Sequence, residues 1–387
     1  MQTARSYIGH PPSTNKHSWC HFGARMGSMR TVLMLVLATL TAPVLAAERV
    51  VNIYAWAEYV APETLKKFEA ATGIKVQYDT FDSADVLETK MLTGGSGYDV
   101  VFPSIAMLDR LIQAKALQPT GMQQMSTVGE LDPQLLGQLR AVDPGNYFAV
   151  PYTWGTTGLA FNRTEIEKRI PNPPLNSLDL LFKPEYASLL KDCGISIIDA
   201  PQEVISIALH YLGKPTTSKQ PADLRAVQAL LSAVRPSIRS IATGTQSSDL
   251  ANGELCLALT YSGDAVLAQS LAAAAQKAVT IEYASPDEGT LTWVDTLAIP
   301  VDAPHPSEAK AFIEFITRSE SMAELTSSFF FANANLAAVP LLAADIATDP
   351  AIYPPETVRS RLFGEQPLPL RALRERTRIW ANFRNQH

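Results

Sequence analysis

The sequence has little histidine and few cysteines, and it lacks the common catalytic motifs. Of 387 residues six are His and three are Cys. Beyond residue 46 the histidines are His210, His305 and His387, too scattered for zinc ligands. No G-x-S-x-G, Walker A or G-x-G-x-x-G motif occurs, and no local signal marks the Asp/Glu pair of a glycosidase. We therefore predict that the chain is not an enzyme and uses no cofactor or metal.

Acidic residues are absent from residues 1–46, which also contain the longest apolar run of the chain. That run, residues 32–45, is too short and too poorly flanked to span a membrane stably. It leads into Val44-Leu45-Ala46, a pattern typical of signal-peptide cleavage, so we predict a signal peptide from Met26 or Met29 to Ala46, cleaved on export to the periplasm. The residue directly after the predicted cleavage site is Ala47 and not a cysteine, which argues against a lipid anchor. Residues before Met26 are excluded from the fold.

Removal of residues 1–46 leaves an acidic protein. The four basic residues in that segment account for a change of net charge from −6 to −10. A nucleic acid is an unsuitable partner for such a chain, whereas a cation is a suitable one.

Only two cysteines remain after cleavage, because Cys20 lies in the excluded segment. An even pair in an exported protein is typical of one disulfide, here between Cys193 and Cys256. The alternative at this point is two buried free thiols.

Short apolar runs alternate with amphipathic segments, which is typical of an α/β fold. Long chains divide into lobes, so we expect two. The first part predicts strands at 49–56, 74–81 and 98–104, with helices at 61–73, 83–92 and 107–116. Later segments predict strands at 195–199, 254–264 and 291–300, a helix from Pro201, helices over 307–325, and a return strand over 329–340.

Residues 147–162 contain a strand-like run that Pro151 and the Gly155–Gly158 stretch are expected to interrupt. We interpret this segment as a crossover between lobes. Lobe 1 is predicted to comprise 47–153 and 293–338, and lobe 2 to comprise 154–292 and 339–387.

Aromatic residues stand beside acids where the predicted strands end. Trp56 and Tyr59 flank Glu58, and the same pairing recurs elsewhere. Further members of the pattern are Tyr261 with Asp264, Trp293 with Asp295, and Glu203 after the strand at 195–199. Singly, such an acid is more often a helix N-cap and such a tryptophan a core residue.

The recurrence of this pattern at several strand ends favours a binding cleft, because ligands bind at the carboxyl ends of strands in such sheets. Aromatic faces attract cations and pack against methylene groups. Carboxylates accept charge-assisted hydrogen bonds from ammonium groups. The pattern therefore suits a flexible diamine or polyamine.

At these residues the sequence resembles the periplasmic polyamine-binding proteins of ABC transporters, and in particular their putrescine-binding branch. The resemblance covers nearly all of the chain after residue 46. Its motifs are Y-A-W-A-E-Y (54–59), F-D-S-x-x-V-L-E-x-K (81–90), P-Y-T-W-G-T-T-G (151–158), D-A-P-x-E-V (199–204), L-A-N-G-E-L-C (250–256), S-G-D (262–264), F-A-N-A-N (331–335) and I-Y-P-P (352–355).

The resemblance implies a two-lobed periplasmic binding protein fold of type II, with the ligand between the lobes. It also implies the roles of individual residues. The implied ligand-binding residues are Trp56, Tyr59, Tyr261, Trp293 and Phe331 as aromatic walls, Glu58 as an acidic lid, Ser104 at the rim, and Glu203, Asp264 and Asp295 as acids for the amines. Cys193 and Cys256 match positions that pair in the putrescine-binding branch.

Several positions depart from the family pattern. Ala57 replaces a small hydroxyl residue, Tyr261 stands for Trp, and Phe331 stands for Tyr. Trp293 and Glu58 resemble the spermidine-preferring members. The resemblance therefore implies spermidine and putrescine jointly, with a slight preference for spermidine.

The implied partner is an inner-membrane ABC permease, and the protein is expected to be a monomer. Alternatives are that the same fold binds another cationic amine or serves as a sensor input. An exported enzyme that has recruited the fold is the remaining alternative.

Overall fold

The computed structural model describes residues 48–385, so the predicted signal peptide lies outside the described residues. Within that range the chain forms twelve strands and sixteen α-helices. The strands are β1 Val50–Trp56, β2 Lys75–Phe81, β3 Val100–Val101, β4 Leu117–Gln118, β5 Ala149–Asn162, β6 Ile195–Ile197, β7 Ile238–Ile241, β8 Leu257–Tyr261, β9 Ile281–Ala284, β10 Leu291–Pro300, β11 Ala332–Asn333 and β12 Phe363–Gly364. The helices are α1 Pro62–Thr72, α2 Ala84–Thr93, α3 Ile105–Gln113, α4 Pro133–Leu139, α5 Arg163–Glu167, α6 Asp179–Phe182, α7 Pro184–Leu190, α8 Pro201–Tyr211, α9 Pro221–Val234, α10 Gln246–Asn252, α11 Ser262–Ala274, α12 Pro306–Ile316, α13 Ser319–Phe329, α14 Ala344–Ala347, α15 Glu356–Arg359 and α16 Leu370–Asn385.

The first five elements, β1 to β3 with α1 and α2, form the predicted β-α-β-α-β unit. Strand β1 lies between β2 and β3, and both pairings are parallel. Helix α1 ends at Gly73 in a left-handed conformation, and the Ser83 side chain caps α2, as the sequence indicates. Strand β3 is shorter than predicted, since Pro103 has no N–H for the ladder and Ser104 already caps α3.

The predicted break at Pro151 is wrong, because β5 runs without interruption from Ala149 to Asn162. Its pairing with β10 shifts register beside Pro151, so the missing proline N–H falls at a bulge. Gly155 is not part of a turn either. A Cβ there would lie 2.5 Å from the Trp293 ring, so glycine permits this close approach.

The main path of the sheet runs β2-β1-β3-β10-β5-β8-β6-β7. Its two central strands each contribute to both large hydrophobic cores. In β5, Val150 belongs to the first core and Leu159 to the second. In β10, Leu297 belongs to the first core and Leu291 to the second. The paired strands β5 and β10 therefore connect the two cores.

The segment after residue 338 divides between the cores. Leu342 and Ile352 pack in the first core, whereas Ile379, Trp380 and other residues of α16 pack in the second. The predicted placement of 339–387 in one lobe thus differs from the packing over the first part of that segment. The remaining lobe boundaries stay a prediction.

Cys193 and Cys256 form a disulfide with their Cα atoms 5.5 Å apart. The bond joins the chain after α7 to the residue preceding β8. The alternative of two free thiols is thereby set aside. Among residues 48–385, no helix has the length and apolar character needed to cross a bilayer.

Candidate ligand-binding site

The predicted site residues meet where β1 and β8 end, beside the middle of β10. Trp56 is the last residue of β1, and Tyr261 is the last of β8. Trp293 and Asp295 lie within β10, and Phe331 follows α13. The contacts described below bring these residues together, although they come from distant parts of the chain.

Five aromatic rings form a continuous series across the two cores. The Tyr59 ring centre lies 6.5 Å from that of Trp56 and 6.2 Å from that of Phe331. Trp293 lies 5.4 Å from Phe331 and 5.6 Å from Tyr261, and both pairs meet edge to face. This series offers apolar and π surface from the β1 side of the site to the β8 side.

Asp295 is held at the inner part of this series by a tyrosine. The Tyr59 hydroxyl donates a hydrogen bond to Asp295 Oδ2, and the Tyr152 hydroxyl donates to the Tyr59 carbonyl at 2.7 Å. Ser104 forms an isolated β-bridge with Asp295, and its Oγ accepts from the N–H of Met107 at 3.5 Å as the cap of α3. Burial raises the pKa of Asp295 to about 7.

Glu203 lies in the first turn of α8, on the second-core side. Thr157 Oγ1 donates to its carboxylate at 2.8 Å and the Tyr261 hydroxyl donates at 3.0 Å. Burial, reinforced by the negative charges of Glu365 and Asp295, raises the pKa of Glu203 to about 8. The two hydrogen bonds oppose this rise but do not cancel it.

Asp264 lies in the first turn of α11, so the predicted strand over 254–264 ends earlier, at Tyr261. The carboxylate accepts a long hydrogen bond of 3.4 Å from Thr260 Oγ1. Neither Asp264 nor Asp295 is a helix N-cap, so capping does not explain the position of these two acids. Burial raises the pKa of Asp264 to about 7, and the negative charge of Glu58 adds to the rise.

Glu58 is exposed and has a positive φ of 59°, which is uncommon for a residue other than glycine, asparagine or aspartate. Its charge acts on Asp264 across the site, although it belongs to the loop between β1 and α1. The strained loop conformation therefore places an exposed carboxylate close enough to Asp264 to raise its pKa.

A further acid, Glu365, was missed by the sequence analysis. Strand β12 pairs in parallel with β10, with Gly364 opposite Thr292, so Glu365 follows alongside Trp293. Burial raises the pKa of Glu365, and its charge raises the pKa values of Glu203 and Asp295. The signal available was an aromatic residue two positions before an acid, the spacing shared by Phe363–Glu365 and Trp293–Asp295.

The site has more negative charge than the surrounding protein compensates. None of the salt bridges in residues 48–385 includes Glu203, Asp264, Asp295 or Glu365. The positive charge of Arg110 opposes the rise in the pKa of Glu365 without cancelling it. The Arg110 guanidinium itself forms a bidentate pair with Glu88. Such a site favours a cationic ligand, because a cation removes the cost of burying the ionised carboxylates.

The acids are also spread out rather than gathered at one point. In the part of the chain that the structure describes, no three His, Cys, Asp or Glu side chains converge as metal ligands. An elongated cation with separated charges matches this arrangement, and the aromatic series matches an apolar middle portion.

The chain belongs to the bacterial extracellular solute-binding protein family, whose model matches residues 63–354. It is 41% identical over 359 residues to the putrescine-binding periplasmic protein SpuD of Pseudomonas aeruginosa, covering 92% of this chain and 98% of that protein. It is 39% identical over 342 residues to the putrescine-binding periplasmic protein PotF of Escherichia coli, covering 88% of this chain and 92% of that protein.

A solved structure of the spermidine/putrescine ABC transporter substrate-binding protein PotD from Streptococcus pneumoniae has the same fold. Its TM-score is 0.72 at 28% identity, and the match covers 87% of this chain and 98% of that one. The predicted α/β, two-lobed fold of type II is confirmed by these likenesses. The resemblance to the putrescine-binding branch is likewise confirmed by the relatives named above.

We expect the ligand-free protein to lose stability as the pH rises from about 5 to about 7.5. The folded pKa values of Asp264 and Asp295, about 7, exceed those of an unfolded aspartate. Between the unfolded and folded pKa values the folded state therefore binds more protons, and raising the pH destabilises it. A one-unit elevation already corresponds to about 1.4 kcal/mol. Urea unfolding across this pH range measures the effect.

The control is Asp295→Asn, which keeps an acceptor for the Tyr59 hydroxyl and removes the titrating group. This variant should show a shallower pH dependence than the wild-type protein. A wild-type stability that rises over the same range, or an unchanged slope in the variant, would contradict the assignment.

Proposed function

We propose that this protein is a periplasmic solute-binding protein that captures a polyamine, spermidine and/or putrescine, for delivery to an ABC permease. The observation that carries the proposal is the uncompensated acid group beside the aromatic series. The ligand-binding residues are those predicted from the sequence, with Glu365 added. The names of the putrescine-binding relatives support the same ligand class.

A protonated polyamine satisfies both features of the site at once. Its ammonium groups donate to carboxylates such as Asp264, Asp295 and Glu203, in charge-assisted hydrogen bonds. Its methylene chain packs on Trp293 and Phe331, whose rings also attract the adjacent charge. Because the acids lie on both sides of the ring series, one molecule can bridge the elements of the two cores.

Bridging provides the transport signal in this proposal. A ligand that contacts both lobes stabilises the closed arrangement and shifts the population toward it. Strands β5 and β10 connect the cores and form the natural hinge. The closed protein then docks on the permease as a monomer, and the chain itself catalyses no reaction.

Choice among polyamines rests on the residues that depart from the family pattern. Trp293 has a larger ring than phenylalanine, and Phe331 offers no hydroxyl group to a ligand. Glu365 adds a carboxylate that a third ammonium group can use. These features favour spermidine slightly over putrescine.

A cationic amine that also has a hydrogen-bond acceptor is the second candidate ligand. The indole Nε1 atoms of Trp56 and Trp293 are buried and have no hydrogen-bond partner among residues 48–385. An ammonium group has no lone pair to accept from them, whereas an amide or carboxylate oxygen has. Such a ligand would fit uptake or a sensor input.

The proposal predicts tight binding of a polyamine and strong dependence on the acids. We expect putrescine or spermidine, titrated by calorimetry, to bind the wild-type protein, and Asp264→Asn or Asp295→Asn to weaken binding at least about 30-fold. Removing one partner of a buried charge pair costs about 2 kcal/mol or more. The exposed Asp345→Asn variant is the control and should bind like the wild type.

Absence of binding by putrescine, cadaverine, agmatine, spermidine and spermine would refute the ligand class. Near-wild-type affinity in both acid variants would refute the assigned site while leaving the class intact.

Glu365→Gln tests the role of the added carboxylate in ligand choice. We expect spermidine affinity to fall about tenfold or more and putrescine affinity to fall less, since a diamine needs fewer acids. Calorimetric titration of both ligands gives the ratio of the two losses. Equal losses, or a larger loss for putrescine, would show that Glu365 does not discriminate by the number of amines.

A further inference from the structure

The start of helix α8 lacks the local contacts that usually fix a helix terminus. Its N-cap residue is Ala200, which provides no side-chain cap, and Pro201 at the first helical position has no N–H. Glu203 follows two residues later. The position of this ligand-facing acid therefore depends on contacts from elsewhere in the fold.

Helix α16 supplies contacts to the chain on both sides of Ala200. Arg376, Trp380 and Arg384 are spaced four residues apart, so they share one face of the helix. We call this face the positioning stripe. Its three side chains all bind the chain around the beginning of α8.

The Asp199 carboxylate accepts hydrogen bonds from two of the three side chains. Trp380 Nε1 donates to Oδ1 at 2.7 Å, and Arg384 Nη1 donates to Oδ2 at 2.6 Å. Asp199 immediately precedes the N-cap of α8 and begins the D-A-P-x-E-V motif. It is not among the proposed ligand-binding residues. Both of its carboxylate oxygens accept hydrogen bonds from α16.

Arg376 holds the helix itself. Its Nη1 donates to the carbonyl of Gln202 at 3.3 Å and to Ser206 Oγ at 2.8 Å, while Nη2 donates to the carbonyl of Thr216 beyond the helix end. The side chain is 1% exposed, and no salt bridge within residues 48–385 includes it. A buried guanidinium bound only to neutral acceptors is costly, so a stability role alone accounts for it poorly.

We propose that Arg376, Trp380 and Arg384 are positioning residues that hold the first turn of α8 so that Glu203 faces the ligand. The stripe fixes residues 199–206 from outside, while Thr157 and Tyr261 orient the Glu203 carboxylate from inside. The inference rests on the proposed function, because it assigns a purpose to Glu203 in binding.

The test is the double variant Trp380→Phe with Arg384→Met. Phenylalanine keeps a ring against Phe383 and removes the indole donor, and methionine removes the charge but keeps much of the side chain. We expect the Kd for spermidine to rise about tenfold, the usual effect of losing a hydrogen bond to a charged group. Arg378→Met, on the exposed face of α16, is the control and should leave Kd unchanged.

A double-mutant cycle separates positioning from general destabilisation. In a Glu203→Gln background the stripe variant should cause little further loss, whereas in an Asp295→Asn background its full tenfold effect should remain. The same tenfold loss in the Glu203→Gln background would overturn the inference. So would an unchanged Kd in the stripe variant.

A measurement without ligand keeps the inference distinct from the proposed function. Carbon-detected NMR titration of the Glu203 carboxyl should show its pKa falling toward the ordinary range in the Trp380→Phe, Arg384→Met double variant, because a loosened turn admits water. An unchanged titration would overturn the inference. Asp199→Asn provides a second variant with the same expectation if the double variant does not fold. If the wild-type protein binds no polyamine, the proposed function is wrong. If the double variant has the same Kd and the same Glu203 titration as the wild type, only the positioning role is wrong.

Discussion

The central constraint on this structure is that acidic groups are withdrawn from water and, within residues 48–385, take part in no salt bridge. Burial raises the pKa values of Glu203, Asp264 and Asp295 into the neutral range, so near pH 7 the empty site is only partly ionised. A folded chain tolerates this cost when a ligand supplies the missing charge. The proposed roles of the aromatic series, of strands β5 and β10 and of helix α16 all follow from this requirement.

The proposed hinge and the candidate site share the same strands. In β10, Trp293 and Asp295 face the aromatic series while the strand also pairs with β5 across the two cores. Gly155 lets the Trp293 ring lie against β5, so the candidate ligand surface is built directly on the connection between the cores. In the proposed mechanism a ligand therefore needs no long pathway to alter the equilibrium between open and closed states.

Much of this could be predicted from the sequence, because the information was local. The periodicity of apolar residues, together with capping residues, predicts β1, α1, β2 and α2. The spacing between aromatic and acidic residues predicts Trp293 and Asp295 as site residues. Two features could not be predicted in this way. Glu365 enters the site only through the register of the two-residue strand β12 beside β10. Pro151 is tolerated in β5 only because the partner strand shifts register there. Both depend on contacts between segments far apart in the chain.

The most direct test of the account is to count the protons exchanged when the ligand binds. Calorimetric titration of the wild-type protein with spermidine at pH 7, in phosphate and in Tris, separates the heat of binding from the heat of buffer ionisation. The account predicts net release of about one proton or more per ligand, because a cation drives the protonated acids to ionise. Binding with no release, or with proton uptake, would show that the acids are already ionised and would contradict it.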